Sequence, residues 1–110
     1  MNRNLQNNYL MTRRINTKIL EEIINQLKVL AHPVRYSIVI ILASNHKMTV
    51  TEIHEELSLQ QAATSNHLKL MKSSNILNSH KVGKNTYYSV NKETMDKLYC
   101  VLQIYAPVVN

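Results

Sequence analysis

A mainly α-helical domain carrying one small β-hairpin is what the sequence predicts, and three observations predict it. Apolar residues recur at helical spacing from Ile19 to about Met71. The period then changes across residues 76–90, which read as extended chain. Gly83-Lys84-Asn85 sits inside that stretch as a turn, which makes it a hairpin. The 110 residues allow one domain and a small core, so a second copy of the chain is a natural place to bury further apolar surface.

Residues 1–16 are polar, with scattered Leu5, Tyr9, Leu10 and Met11, and read as an arm ahead of a domain spanning 17–110. In TKILEEIINQLKVLA, the residues Ile19, Ile23, Leu27 and Leu30 mark one helical face, widened on one side by Leu20 and Ile24. Thr17 is the expected N-cap, and Glu21 and Glu22 fall in the early turns, where the helix dipole favours them. His32-Pro33 breaks this helix and starts another. Proline at a first helical position gives up only an N–H that would have no partner there. Ile38, Val39, Ile40, Ile41 and Leu42 follow in a row, so this second helix is apolar nearly all round and belongs at the centre of the domain. The run also suits a buried strand, because β-branched residues favour strands, but its length and proline start favour a helix.

Asn45-His46-Lys47 is a turn. Thr49 and Glu52 have capping-box spacing, with Thr49 as cap and Glu52 reaching back, and they open a short helix with Ile53 and Leu57 on one face. Ser58 or Gln60 starts the next helix, which runs to about Ser73, and Asn75 is expected in the left-handed conformation that ends it. After the hairpin Asn91 caps a last helix, which is expected to run to about Tyr105 and stop at Pro107. On it Met95, Leu98, Leu102 and Tyr105 form a packing seam.

Composition narrows the function. The 13 Lys+Arg residues outnumber the 7 Asp+Glu and give a net charge of +6, which suits a polyanionic partner. One cysteine excludes an intramolecular disulfide framework and a Cys-rich zinc module, and one glycine excludes Gly-rich phosphate loops. No apolar run approaches the roughly 20 residues of a membrane span, and the Asn-rich start lacks the apolar stretch of a secretory signal. The expected location is therefore the cytoplasm, with no membrane partner. No nucleophile, base and acid are clustered, so no enzyme is expected and no catalytic residue is assigned.

The third and fourth helices, joined by a tight turn and followed by the hairpin, form a helix-turn-helix with a β-wing. The segments LKVLAHPVRYSIVIIL, TVTEIHEELSLQQAATSNHLKLMKSSNIL and HKVGKNTYYSV, in that order, resemble the winged helix-turn-helix repressors of the ArsR/SmtB family over about residues 17–105. The most specific pieces are Ser65-Asn66-His67-Leu68-Lys69-Leu70-Met71 and the hairpin end Tyr87-Tyr88-Ser89-Val90. The resemblance implies a transcriptional repressor that dimerises through the first helix (Ile19, Ile23, Leu27) and the last (Met95, Leu98, Leu102, Tyr105). A dimer of this kind meets double-stranded DNA at two half-sites related by a two-fold axis.

The chain departs from the sensing members of that family. Their metal-binding cysteine pair would fall near residues 49–51, where there is no cysteine, and no histidine follows residue 90 to complete a site on the last helix. His54 is next to Glu55 and Glu56, but adjacent helical positions point apart. No metal or other cofactor is expected, and the inducer is not named by the sequence. Cys100 alone reads as a small apolar residue of the last helix, with a thiol pair across a dimer as the alternative.

A helical wheel over residues 61–72, at about 100° per residue, separates two faces. Ala63, Thr64, His67, Leu68, Leu70 and Met71 make the expected core side. Gln61, Ala62, Ser65, Asn66, Lys69 and Lys72 make the expected DNA side, with Gln61 and Asn66 at its edges. Gln and Asn place a donor beside an acceptor, as bidentate adenine readout requires. Ser65, Lys69 and Lys72 suit phosphate oxygens, as do Lys81, Lys84 and Asn85 on the wing, which also reach the minor groove. Between Glu56 and Glu93 there are 36 residues without an acid, and all seven acids lie outside the reading helix and wing. An ordinary solvated face would also carry such residues. A winged-helix protein-interaction or dimerisation module with weak or lost DNA binding is the competing reading. Arg35 matches the arginine that opens the second helix in this family. The dipole disfavours a cation in a first turn, so a partner is expected, either a carboxylate such as Glu52 or a DNA phosphate.

Overall fold

The computed structural model describes the backbone of residues 17–109 and the side chains of residues 17–103. The expected arm, residues 1–16, lies outside the described residues, as does the Tyr105 side chain. Five helices and three strands follow in order: α1 (Thr17–Leu30), α2 (Pro33–Asn45), β1 (Met48–Thr49), α3 (Val50–Glu56), α4 (Gln61–Ser73), β2 (Leu77–Val82), β3 (Asn85–Val90) and α5 (Lys92–Val109). Thr17 is already helical rather than capping, and α5 continues past Pro107 to Val109 instead of stopping there.

Local chemistry sets most of these boundaries. Pro33 opens α2, and the His32 ring accepts the Val34 N–H, so an imidazole serves as the cap. The capping box forms as expected: Glu52 N–H donates to Thr49 Oγ1 at 3.2 Å, and Thr49 N–H donates to Glu52 Oε1 at 2.9 Å. Asn91 Oδ1 accepts the Thr94 N–H and starts α5. Two helices end in the same motif. Asn75 has φ 62°, with Ile76 N–H donating to Met71 O and Asn75 N–H to Lys72 O. Ser58 has φ 55°, with Leu59 N–H donating to His54 O and Ser58 N–H to Glu55 O. Both are Schellman closures, each with a non-glycine residue at the left-handed position. The second of these makes the tight turn between α3 and α4.

The sheet has three antiparallel strands in the order β1-β3-β2, not the hairpin alone. Met48 pairs with Tyr88 and Thr49 with Tyr87, so the chain just before the Thr49 cap is also a strand. The hairpin closes from Val82 to Asn85 across Gly83-Lys84, and Gly83 takes φ 64° at the first loop position, where only glycine is free of strain.

Helix α2 packs against α1, α4 and β3 and contributes Ile38, Val39 and Leu42 to the core. Ile53, Leu68, Met71, Ile76, Leu77 and Leu98 complete its centre. Emptying such a site, as in Ile38→Ala, costs about 2–5 kcal/mol. However, α2 is not buried all round, because Tyr36 and Ile40 are at least half exposed. A second tie is polar: buried Gln26 of α1 donates from Nε2 to Ser74 O at the end of α4. No single helix among the described residues is long and apolar enough to cross a membrane. The pair α1 and α2 passes by length and composition only when joined across a 91° bend.

The two Schellman positions differ in a measurable way. Ser58→Gly should stabilise the fold by about 1 kcal/mol, because it removes the left-handed penalty that a β-carbon carries. Asn75→Gly should gain less, because asparagine already tolerates that conformation. Urea denaturation of the two variants checks the order, and equal effects would contradict it.

Candidate nucleic-acid interface

The orientation of α4 follows from what it buries. Thr64, Leu68 and Met71 are its buried side chains, a single narrow stripe. Thr64 fixes the first turn twice over, donating to Gln60 O from both its N–H and its Oγ1. The buried stripe is turned by roughly half a residue step from the expected core side, at about 100° per residue. Ala63 and Leu70, expected in the core, are therefore exposed, and His67 is only partly buried. Gln61, Ala62, Asn66, Lys69 and Lys72 are exposed, while Ser65 is half-buried. On this wheel Ala62, Asn66 and Lys69 take the middle of the outward arc, Lys72 moves to its edge, and Gln61, already at an edge, moves toward the buried side while staying exposed in the first turn. Asn66 thus becomes a central residue rather than an edge one.

On the wing, Lys81, Lys84 and Asn85 are all exposed. The register adds two residues that the sequence reading missed. His80 is paired with Tyr87, and their rings stack at 5.9 Å between centroids. The Lys47 ammonium lies 5.2 Å from the centroid of the same Tyr87 ring. The outer face of the sheet therefore carries a row Lys47, Tyr87, His80, which extends the basic surface from the hairpin to the turn before β1. Only the pairing of β3 with both neighbours brings these residues together.

Arg35 does not meet Glu52, the carboxylate expected of it within the chain. Its Nε donates to Val29 O at 2.7 Å, and its Nη1 donates over 3.4 Å to His67 Nδ1. Glu52 is occupied in the capping box. The Val29 carbonyl belongs to the last turn of α1, where carbonyls lack helical partners and the dipole attracts a cation. That attraction offsets the unfavourable position of Arg35 at the start of α2. The rings of His32 and His67 lie 4.9 Å apart. Burial, then His32, then Arg35 hold the His67 imidazole below the ordinary histidine range.

A second surface involves the first and last helices. Glu22 of α1 lines an open cleft of about 870 Å³ together with Asp96, Lys97 and Cys100 of α5. Cys100 is partly buried and lines this cleft. Ile23 and Leu98, expected at a dimer interface, are each 2% exposed and belong to the chain's own core. Ile19, Leu27 and Met95 are partly buried and pack against that core. The outward apolar residues are the neighbouring ones: Leu20, Ile24, Tyr99 and Leu102, between 43% and 61% exposed. Leu102 alone of the expected interface set is exposed among the described side chains.

No group of three His, Cys, Asp or Glu side chains among the described residues is placed to hold a metal ion. Residues 30–80 match a helix-turn-helix domain family model. The chain is 34% identical over 83 residues to the transcriptional repressor PagR of Bacillus anthracis, covering 76% of this chain and 83% of that protein. It is 30% identical over 67 residues to the transcriptional repressor SdpR of Bacillus subtilis (strain 168), covering 61% and 73%. The crystal structure of PagR superposes with a TM-score of 0.68 at 31% identity, over 78% of this chain and 99% of PagR. An ArsR-like transcriptional regulator from Rhodococcus sp. RHA1 shares the fold at a TM-score of 0.71 and 18% identity, over 79% and 81%. With the helix-turn-helix, the three-stranded wing and these relatives in place, the chain belongs to the ArsR-type winged helix-turn-helix transcriptional regulators.

Proposed function

We propose that this protein is a homodimeric, sequence-specific DNA-binding repressor. It acts in the cytoplasm by binding rather than by turnover, and α4 lies in the major groove of each of two half-sites related by a two-fold axis. The observation that carries this reading is the outward arc of α4 together with the wing. This surface of Gln, Asn, Ser and Lys holds no acid across 36 residues, in a chain from a family of transcriptional regulators. Asn66 and Gln61 read base edges. Ser65, Lys69, Lys72, Lys81, Lys84 and Asn85 hold the backbone, with Lys47 and His80 alongside.

Dimerisation uses the outer stripes of α1 and α5, namely Leu20, Ile24, Tyr99 and Leu102. Each of these two helices leaves two large apolar side chains outside the chain's own core, where a second copy would cover them. A two-fold dimer presents the same patch from each copy.

Both parts can be tested. A duplex selected by the protein from a random pool is titrated beside a scrambled duplex at several salt concentrations. Asn66→Ala and Gln61→Ala should each narrow the gap between the two duplexes by about 1–3 kcal/mol, the worth of a good bidentate pair to a base edge. Lys84→Ala should weaken both duplexes alike and lower the salt slope by about one unit. An unchanged selected-to-scrambled ratio in both Asn66→Ala and Gln61→Ala would remove this face from base readout.

For the dimer, Ile24→Glu and Leu102→Glu should each give monomers by light scattering while keeping the helical circular dichroism, because a buried unpaired charge opposes association but leaves the core intact. Variants that remain dimeric would move the interface elsewhere.

A further inference from the structure

We infer that Arg35 and His67 are positioning residues for DNA reading, clamping the edge of α4 beside Asn66 to the end of α1, and that the clamp closes only while His67 is neutral. This rests on α4 being the reading helix. Arg35 is the bridge: one nitrogen is fixed on Val29 O and another on His67 Nδ1. A guanidinium can only donate, so His67 Nδ1 must accept, which places the ring proton on Nε2 and leaves the imidazole uncharged. His32 is constrained in the same way, because its Nδ1 accepts the Val34 N–H.

The groups that face the His67 ring are therefore His32 and Arg35, both from the α1–α2 junction. Among the described residues, neither α3 nor β2, which also pack on α4, brings a charged side chain into a hydrogen bond, ion pair or ring contact with His67. A proton arriving on His67 Nδ1 removes the acceptor from Arg35 and sets a cation against a guanidinium and a second imidazole. No carboxylate in the set compensates. His67 is held below the ordinary histidine range, so the folded chain binds this proton less readily than the unfolded chain. The contribution to stability is thus complete at neutral pH and is lost as the pH falls through about 6.5 and below. Asn66 precedes His67 directly, so a shift at this edge is transmitted to the middle of the outward arc.

The test follows the His67 Cε1–H resonance and the Ser65, Asn66 and Lys69 amides from about pH 7.5 to about pH 5.5. The amides should move with the His67 midpoint in the wild-type protein. In His67→Gln, whose amide oxygen still accepts from Arg35 but does not titrate, that movement should be largely abolished. Amides that ignore the His67 midpoint, or that move equally in His67→Gln, overturn the clamp. On DNA, the ratio of affinities for a pool-selected over a scrambled duplex should fall about tenfold across this range in the wild type, the worth of one charge-assisted hydrogen bond. It should hold within about twofold in His67→Gln. Using a ratio cancels the general gain in phosphate affinity that protonated histidines bring. A flat wild-type ratio, or an equal fall in the variant, overturns the positioning role. A protein that prefers no duplex at about pH 7.5 instead sinks the base-reading assignment, and the resonance titration still judges the clamp by itself.

Discussion

Everything α4 presents outward is decided by three side chains it buries. Thr64, Leu68 and Met71 form one stripe against the rest of the domain, and no second stripe competes with it. Turning the helix by one residue would drive Asn66 or Lys69 toward the core. Burying such groups without partners costs several kcal/mol, more than the exposed Leu70 would return by becoming covered. The helix therefore has one rotational setting, and the polar arc is its geometric remainder. The Thr64 bonds to Gln60 O lock the first turn, and the Schellman closure at Asn75 locks the last.

What was legible in the sequence was local. The Thr49–Glu52 capping box, the Asn91 cap, the Pro33 start, the left-handed Asn75 and the Gly83 turn each depend on residues within about four positions, and each appears in the structure. What was not legible required a distant partner. Strand β1 is two residues long, too short for a period, and exists only because Met48 and Thr49 find β3. The α1 and α5 faces show the same limit more sharply. Periodicity finds an apolar stripe but cannot say which of two neighbouring stripes meets the chain's own core. Ile23 and Leu98 do so here, leaving Leu20, Ile24, Tyr99 and Leu102 outside. Within the chain, Arg35 was expected beside a carboxylate such as Glu52. Its partners are a backbone carbonyl, which no residue type announces, and a histidine 32 positions away.

The charge distribution was legible as segregation but not as a surface. The sequence separates acids from the stretch holding α4 and the wing. The fold then places Lys47, from before β1, over Tyr87, and stacks the His80 ring on the same tyrosine. An aromatic ring that both side chains contact holds them in place, which a flexible basic tail cannot do. In the proposed complex with DNA, side chains held in register meet phosphates at defined spacing. Their contribution to binding remains salt-dependent, because each phosphate neutralised releases counterions.

Helix α1 connects these two surfaces physically. It carries Leu20 and Ile24 outward, and it is tied to the end of α4 directly and to the middle of α4 through Arg35 of α2. Gln26 donates to Ser74 O at the C-terminal end of α4, and Val29 O accepts Arg35, which reaches His67 in the middle of that helix. The first tie is costly: Gln26 Oε1 is buried without a hydrogen-bond partner among the described residues, a penalty of about 1–3 kcal/mol. A leucine there would pack without the penalty but would not fix the distance from α1 to the end of α4. In the proposed dimer that distance matters, because two reading helices must enter grooves about 34–36 Å apart. Packing alone permits small sliding between helices. A direct bond from α1 to the end of α4, with a second link through Arg35 of α2, opposes that sliding, so in the proposed dimer the surface that joins the protomers also sets the spacing of the surfaces that meet DNA.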